Sequence, residues 1–214
     1  RNEAFNKART AFEKLAREYP QSPVVGSAAL ERAQVMALQG DKGGAINSLA
    51  AFANDPLAKS PVAPLAAVHL ATLLREQNQP AEAAKVLAAA RQKYEGPLAA
   101  DRDRADWGHL LRFHHGVALA EAEKFADARG LFDRVYAEAK GQPIRADAAL
   151  RAGQVRLADA RKQLQQGAKL AVEAGKDGGK QAEADKVTQA GRTAVYELAN
   201  ELVNRNRELR DQFK

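Results

Sequence analysis

One spacing recurs three times along this chain and restricts what it can fold into. Ala33 is followed twelve positions later by Ala45 and, four beyond that, by Leu49. Thirty-eight residues on, Ala71, Ala83 and Leu87 repeat the spacing; forty-five further, Gly116, Ala128 and Phe132 repeat it again. A small residue, then Ala, then a large apolar group is what two helices folded back on each other require. The small pair sits where the backbones come closest, and the large residue lies one turn on, on the same face, filling the groove toward the next pair. A single such hairpin cannot bury its own apolar surface, so hairpins must stack. The segments between the helices, Gln39-Gly40-Asp41, Asn78-Gln79-Pro80 and Glu123-Lys124-Phe125, read as tight turns. Gly40 suits a left-handed helix-ending conformation and Pro80 the first turn of the next helix.

Composition agrees with an all-α chain. The 214 residues are 45% hydrophobic, mostly Ala, Leu and Val, with only seven Phe, four Tyr and one Trp. Ala has the highest helix propensity and lets helix backbones approach, and few segments alternate as half-buried strands do. The 33 basic and 27 acidic residues are dispersed, for a net charge of +6. A solubilising surface accounts for this better than a nucleic-acid footprint, which needs a concentrated basic stripe. No cysteine is present, which excludes disulfides and thiolate metal sites. No apolar run is long enough to span a bilayer. The sequence opens at Arg1 with half of the pattern: Ala8, Phe12 and Leu15 stand at second-helix positions and Tyr19-Pro20 ends the unit. The expectation is a chain that begins on the second helix of a repeat, its first helix missing.

Beyond residue 157 the spacing stops. Gly153 is the small residue of a fourth first helix, but the segment runs on without a turn and Gln165 stands where Ala would be expected. The run KDGGK at 176–180 is a turn signal, and a second long helical stretch follows. The chain therefore divides into an array over 1–157 and an extension over 158–214, a long hairpin that caps or prolongs the stack.

These units resemble tetratricopeptide repeats over roughly residues 1–157. The stretch FEKLAREYPQSPVVGSAALERAQVMALQGD is similar to units of bacterial cell-envelope repeat proteins, such as outer-membrane assembly lipoproteins and Tol–Pal coordinators. There a second helix ends in Tyr-Pro, and a Ser-Pro link, repeated here at Ser60-Pro61, precedes an Ala-rich first helix. The usual Trp, Gly and Tyr of the first helix are largely replaced by Ala, Leu and Met, and the third unit carries an insertion around EGPLAADRDRADWGH. The resemblance implies a right-handed α-α superhelix whose concave face is lined by first helices. It also implies a periplasmic or cell-envelope location. Projected onto that geometry, the concave strip comprises Leu30 and Gln34, then Val68, Thr72 and Arg75, then Phe113 and Val117, and finally Leu150, Gln154 and Leu157. The strip is apolar to neutral and suits an amphipathic helix or extended peptide. Equally, it could be filled by the chain itself or by a second copy. The basic and amide residues with which chaperone-cofactor repeats clamp a terminal carboxylate are not at the matching positions.

Catalytic patterns are lacking. Of the four histidines, His69, His109, His114 and His115, three fall on one helix. His109 and His114 are five apart, however, and His114 and His115 point about 100° apart, so no zinc pair forms. There is no GxSxG, no HExxH and no phosphate-cradling loop. Glu121 and Glu123 lie two apart and face different directions. No catalytic residue, metal or cofactor is assigned. Trp107 is expected to pack the third-unit insertion or to serve as a binding anchor. Two readings follow: a non-catalytic scaffold for a protein or peptide partner, and a structural module that homo-oligomerises through its open N-terminal second helix or its long C-terminal helices.

Overall fold

The computed structural model describes residues 2–175 and 178–212, and these form nine α-helices with no strand among them. The chain falls into two compact units, Arg1–Ala118 and Leu119–Lys214. The first holds α1 (Asn2–Glu18), α2 (Val25–Leu38), α3 (Lys42–Ala50), α4 (Ala63–Glu76), α5 (Pro80–Ala99) and most of α6 (Ala105–Glu121). The second holds the end of α6 with α7 (Phe125–Glu138), α8 (Ile144–Ala174) and α9 (Gly178–Gln212). It is an all-α helical-repeat fold: α2, α4, α6 and α8 are first helices, and α3, α5, α7 and α9 fold back as second helices.

The three predicted turns are built alike. Gly40, Asn78 and Glu123, at the same place in each unit, have φ of 91°, 58° and 58°. At each, the next amide donates back across the turn: Asp41 to the Met36 carbonyl at 3.0 Å, Gln79 to Leu74 at 2.9 Å and Lys124 to Leu119 at 2.9 Å. This six-to-one bond satisfies a carbonyl left open at the helix end, and it requires a left-handed residue before it. Glycine takes that conformation freely and Asn readily. The next helix is started by the Asp41 carboxylate accepting from the Gly44 amide at 2.8 Å, or by Pro80 in the first turn of α5.

The recurrent triad forms the packing core. Ala33, Ala45, Ala71, Ala83, Ala128, Leu87 and Phe132 are fully buried, Leu49 is 2% exposed, and Gly116 is buried. Small residues at the crossings let the backbones close, and the large one fills the space that remains. α1 packs on α2 as a second helix packs on the following first helix. α3 is short and passes into 3-10 turns at Ala51–Ala53 and Leu57–Lys59, whereas α5 runs for 20 residues. The Tyr94 hydroxyl on α5 donates to the Ala58 carbonyl at 3.0 Å, tying the long helix to that link. The third-unit insertion becomes the end of α5 and a loop in which Arg104 pairs with Asp101 at 2.6 Å and donates to the Pro61 carbonyl at 3.1 Å. The same guanidinium lies 5.8 Å from the ring centroid of Trp107, which is half-buried on α6.

In the second unit, residue 157 lies inside the unbroken α8, so repeat gives way to hairpin along one helix. Of the expected KDGGK turn, Lys176 and Asp177 lie outside the described residues, and α9 already begins at Gly178. A seam of buried small residues at seven-residue spacing joins the two helices. α8 contributes Gly153, Ala160, Gly167 and Ala174; α9 contributes Ala184 and Gly191, and then Leu198. A strict seven-residue repeat keeps one stripe of each helix facing its partner. A Cβ on Gly167 would sit 2.3 Å from the Thr188 hydroxyl and 3.1 Å from its backbone nitrogen. A Cβ on Gly153 would meet only flexible side-chain ends, Leu202 Cδ2 at 3.0 Å and Leu198 Cδ1 at 3.7 Å. Gly167→Ala is therefore expected to lose about 1–2 kcal/mol of stability by overpacking. Gly153→Ala should be neutral or gain up to about 1 kcal/mol from helix propensity. Urea unfolding of both variants measures the difference; equal effects would rule out the close approach at Gly167.

Candidate functional site

In the first unit the face presented by α2, α4 and α6 is the place where chemistry-bearing side chains gather among apolar ones. A pocket of about 260 Å³ opens between α2 and α4, walled by Gln34, Leu38, His69, Thr72, Leu73 and Glu76. Leu38 is 63% exposed at its rim, an unusual position for a large aliphatic side chain. The Gln34 amide nitrogen and His69 Nε2 lie 3.1 Å apart and link the two helices. Glu76 is engaged by Lys42 at 2.7 Å, which neutralises the acidic end of the pocket. The Thr72 hydroxyl donates to the Val68 carbonyl at 3.0 Å, leaving its methyl to the pocket wall.

Further along this face, Phe113 and His114 on α6 stack edge-on, ring centroids 5.7 Å apart. His114 Nδ1 is buried without a hydrogen-bond partner. Burial, reinforced by the charge of Arg75 and the neighbouring His69, pushes His114 down to about 4. Burial also lowers His69, opposed by Glu31. Both imidazoles are neutral at pH 7, and a neutral imidazole both donates and accepts.

Behind the face, a half-buried ionic cluster fixes α6 to α5. Glu95 accepts from Arg91 Nε at 2.6 Å and from Arg112 Nε at 3.0 Å, and Arg91 Nη1 lies 3.0 Å from His115 Nδ1. Burial opposes the Glu95 charge, but the bonds and charges of Arg91 and Arg112 outweigh it and hold the carboxyl below the usual range. The cluster positions α6 and holds its charges in mutual pairing.

The projected strip residues fall into three groups. Gln34 and Thr72 line the pocket; Arg75 and Phe113 lie on the same face, half-buried. Leu30, Val68 and Val117 are buried, at 4%, 6% and 6% exposure, and support the surface from beneath. Leu150, Gln154 and Leu157 belong to α8 in the second unit, where Leu150 and Gln154 are exposed and Leu157 is half-buried beside the seam. The pocket also takes in Leu38, His69, Leu73 and Glu76, which the projection did not include; the last three each follow a projected residue by one position. A single residue turns a helical side chain by about 100°, so a small error in phase exchanges lining for support. His69, a polar residue in the otherwise apolar run APLAAVHLATLL, was the available signal.

Among the described residues no group of three or more His, Cys, Asp or Glu converges as metal ligands would, and no helix is long and apolar enough to cross a membrane. A larger hollow of about 490 Å³ in the second unit, between the start of α7 and α8, is spanned by the Lys162–Glu123 pair at 2.6 Å and lined mostly by polar groups.

Stacked helical hairpins closed by small residues, with a partly apolar pocket on the first-helix face, define a fold of the helical-repeat class. Residues 1–103 match the family described as a tetratricopeptide repeat-like domain, and such domains are generally non-catalytic interaction modules. No curated protein matches the sequence.

Proposed function

We propose that the first unit is a non-catalytic scaffold that holds a peptide or amphipathic helix of a partner protein on its α2–α4–α6 face, in assembly of a bacterial cell envelope. The observation that carries this reading is the pocket between α2 and α4 with Leu38 exposed at its rim. It offers an apolar recess for one anchoring side chain, with the Gln34 amide and the neutral His69 beside it to pair with backbone of the bound segment. The aromatic edge of Phe113 extends the apolar surface along the face. Periplasmic residence rests on the Tyr-Pro and Ser-Pro links that the chain shares with cell-envelope repeat units.

A photo-crosslinking residue placed at Leu38, in cells of a bacterium that carries the protein, would identify the partner, and fractionation would place the complex. Leu38→Glu and Phe113→Ala are each expected to weaken binding of that partner about tenfold or more, the worth of one buried apolar anchor. Circular dichroism should show helicity unchanged. Undiminished affinity in both variants would overturn the proposal.

A further inference from the structure

The two sides of the α8–α9 hairpin differ sharply. One is covered by α7 through an ionic network. Arg156 pairs with Glu197 at 3.2 Å and also with Glu201; Arg205 pairs with Glu201 at 2.6 Å and with Asp133 of α7; Arg129 of α7 pairs with Asp133 at 3.3 Å. The opposite side is aliphatic. Leu150 and Leu157 of α8 lie alongside Val195, Ala199, Leu202 and Val203 of α9, with Leu150 and Val203 each 58% exposed and Leu202 42% exposed. Scattered exposed leucines need no explanation, but a contiguous stripe across two helices does.

Charge placement around the stripe says what fits it. The seam sets Gly153 against Leu198 and Leu202, and Gly191 against Leu164 and Ala160. That register brings Arg161 level with Arg192 at one end of the stripe and Asp147 level with Asn206 at the other. All four are exposed, and neither Arg161, Arg192 nor Asp147 has an ion pair among the described residues. Two unpaired arginines side by side repel within one chain and call for an external carboxylate. A two-fold axis lying in the face and running across both helices near Gln154 and Ala199 supplies it from the same sequence. The rotation carries Asp147 of one copy over Arg161 of the other, and Arg192 over Asn206, each twice, while Leu150 comes over the region of Leu157. A closed two-fold interface requires this reciprocity of a patch with itself.

We propose that the second unit dimerises through this face, two α8–α9 hairpins packing as a four-helix bundle. The stretch 147–161 is about 21 Å long, and with two helices abreast the paired faces bury on the order of 1,000 Å². That is the lower limit for a specific interface, so the dimer dissociates on dilution. It is independent of peptide binding by the first unit, and Leu38→Glu leaves it unchanged.

Sedimentation equilibrium of the full chain over two decades of micromolar concentration tests it. The wild type is expected to pass from monomer to dimer. Leu150→Glu, at an exposed position that leaves the fold intact, should be monomeric throughout. Asp147→Arg alone and Arg161→Asp alone should each weaken the dimer about tenfold or more, since like charges then face each other across the two-fold. The double variant Asp147→Arg/Arg161→Asp should regain wild-type affinity. A wild type that stays monomeric across the range would overturn the proposal, as would a dimer indifferent to Leu150→Glu or a double variant no stronger than the singles.

Discussion

Ala83→Trp is expected to unfold most of the first unit. Ala83 has no exposed surface and stands at the crossing of α4 and α5, facing Ala71, which is equally enclosed. An indole there has no rotamer that avoids the neighbouring helix, so the hairpin must open. Overpacking by a methylene or two costs about 1–3 kcal/mol, and a whole indole lies beyond that range. For a unit of this size each kcal/mol lowers the melting temperature by roughly 4 °C, so a fall of more than about 10 °C is expected. The damage should spread, because each hairpin covers the apolar side of the next and stability is shared between neighbours. Thermal melting followed by circular dichroism checks it. Ala89→Trp, at an exposed place on the same helix, serves as the control. An unchanged melt for Ala83→Trp would mean that the recurrent small residues do not mark helix crossings.

That spacing was legible because it is stereochemical. Small residues at Ala33, Ala45, Ala71 and Ala83 leave a mark at fixed separations, and Gly40 and Pro80 punctuate the turns between them. The turn at Glu123 shows the limit of such marks. It has the same left-handed backbone and the same six-to-one bond as Gly40, yet glutamate gives no hint of φ at 58°. There the neighbouring hairpins impose the geometry against the residue's own preference. The hairpin seam was hidden for a different reason. Gly153, Gly167 and Gly191 lower helix propensity locally and read as weak points within α8 and α9. The seven-residue spacing they form with Ala160, Ala174, Ala184 and Leu198 acquires meaning only when the antiparallel partner is in place, and Leu164 or Thr188 occupies the space a Cβ would take. The pocket was half legible. Gln34 and Thr72 could be projected from repeat geometry, but Leu38 and His69 depend on the rotation of α2 and α4 about their own axes. Hydrophobic packing of particular side chains fixes that rotation, and no pattern of residue types records it.

The ionisation of His114 has the second large effect, and it bears on what the first unit can recognise. In the folded chain burial, Arg75 and His69 hold this imidazole at about 4, against 6.5 for an ordinary histidine. Above pH 6.5 neither folded nor unfolded chain is protonated there, and the full stability is present. As the pH falls from 6.5 toward 4, the unfolded chain takes up a proton that the folded chain refuses, and stability declines. Below 4 both forms are protonated and the loss levels off. A shift of this size corresponds to roughly 3 kcal/mol in all. His69, lowered in the same direction, adds to the decline. Glu95, a carboxyl held low by arginines, contributes a separate loss at more acid pH, as the pH falls through its depressed value. His114→Phe keeps a ring edge-on to Phe113 and removes the titration. Urea midpoints of wild type and variant between pH 7.5 and 4.5 should therefore diverge, the variant losing about 2–3 kcal/mol less, while the Glu95 effect cancels in the comparison. Parallel curves, or an imidazole that titrates near 6.5 by NMR, would show that burial of His114 is not opposed to its charge. With His114 and His69 neutral at pH 7, this face offers hydrogen bonds and apolar surface around a single guanidinium, Arg75. On the proposed scaffold reading, partners are then selected by fit to the Leu38 pocket more than by acidic charge, and acidification loosens the unit itself before it makes the face cationic.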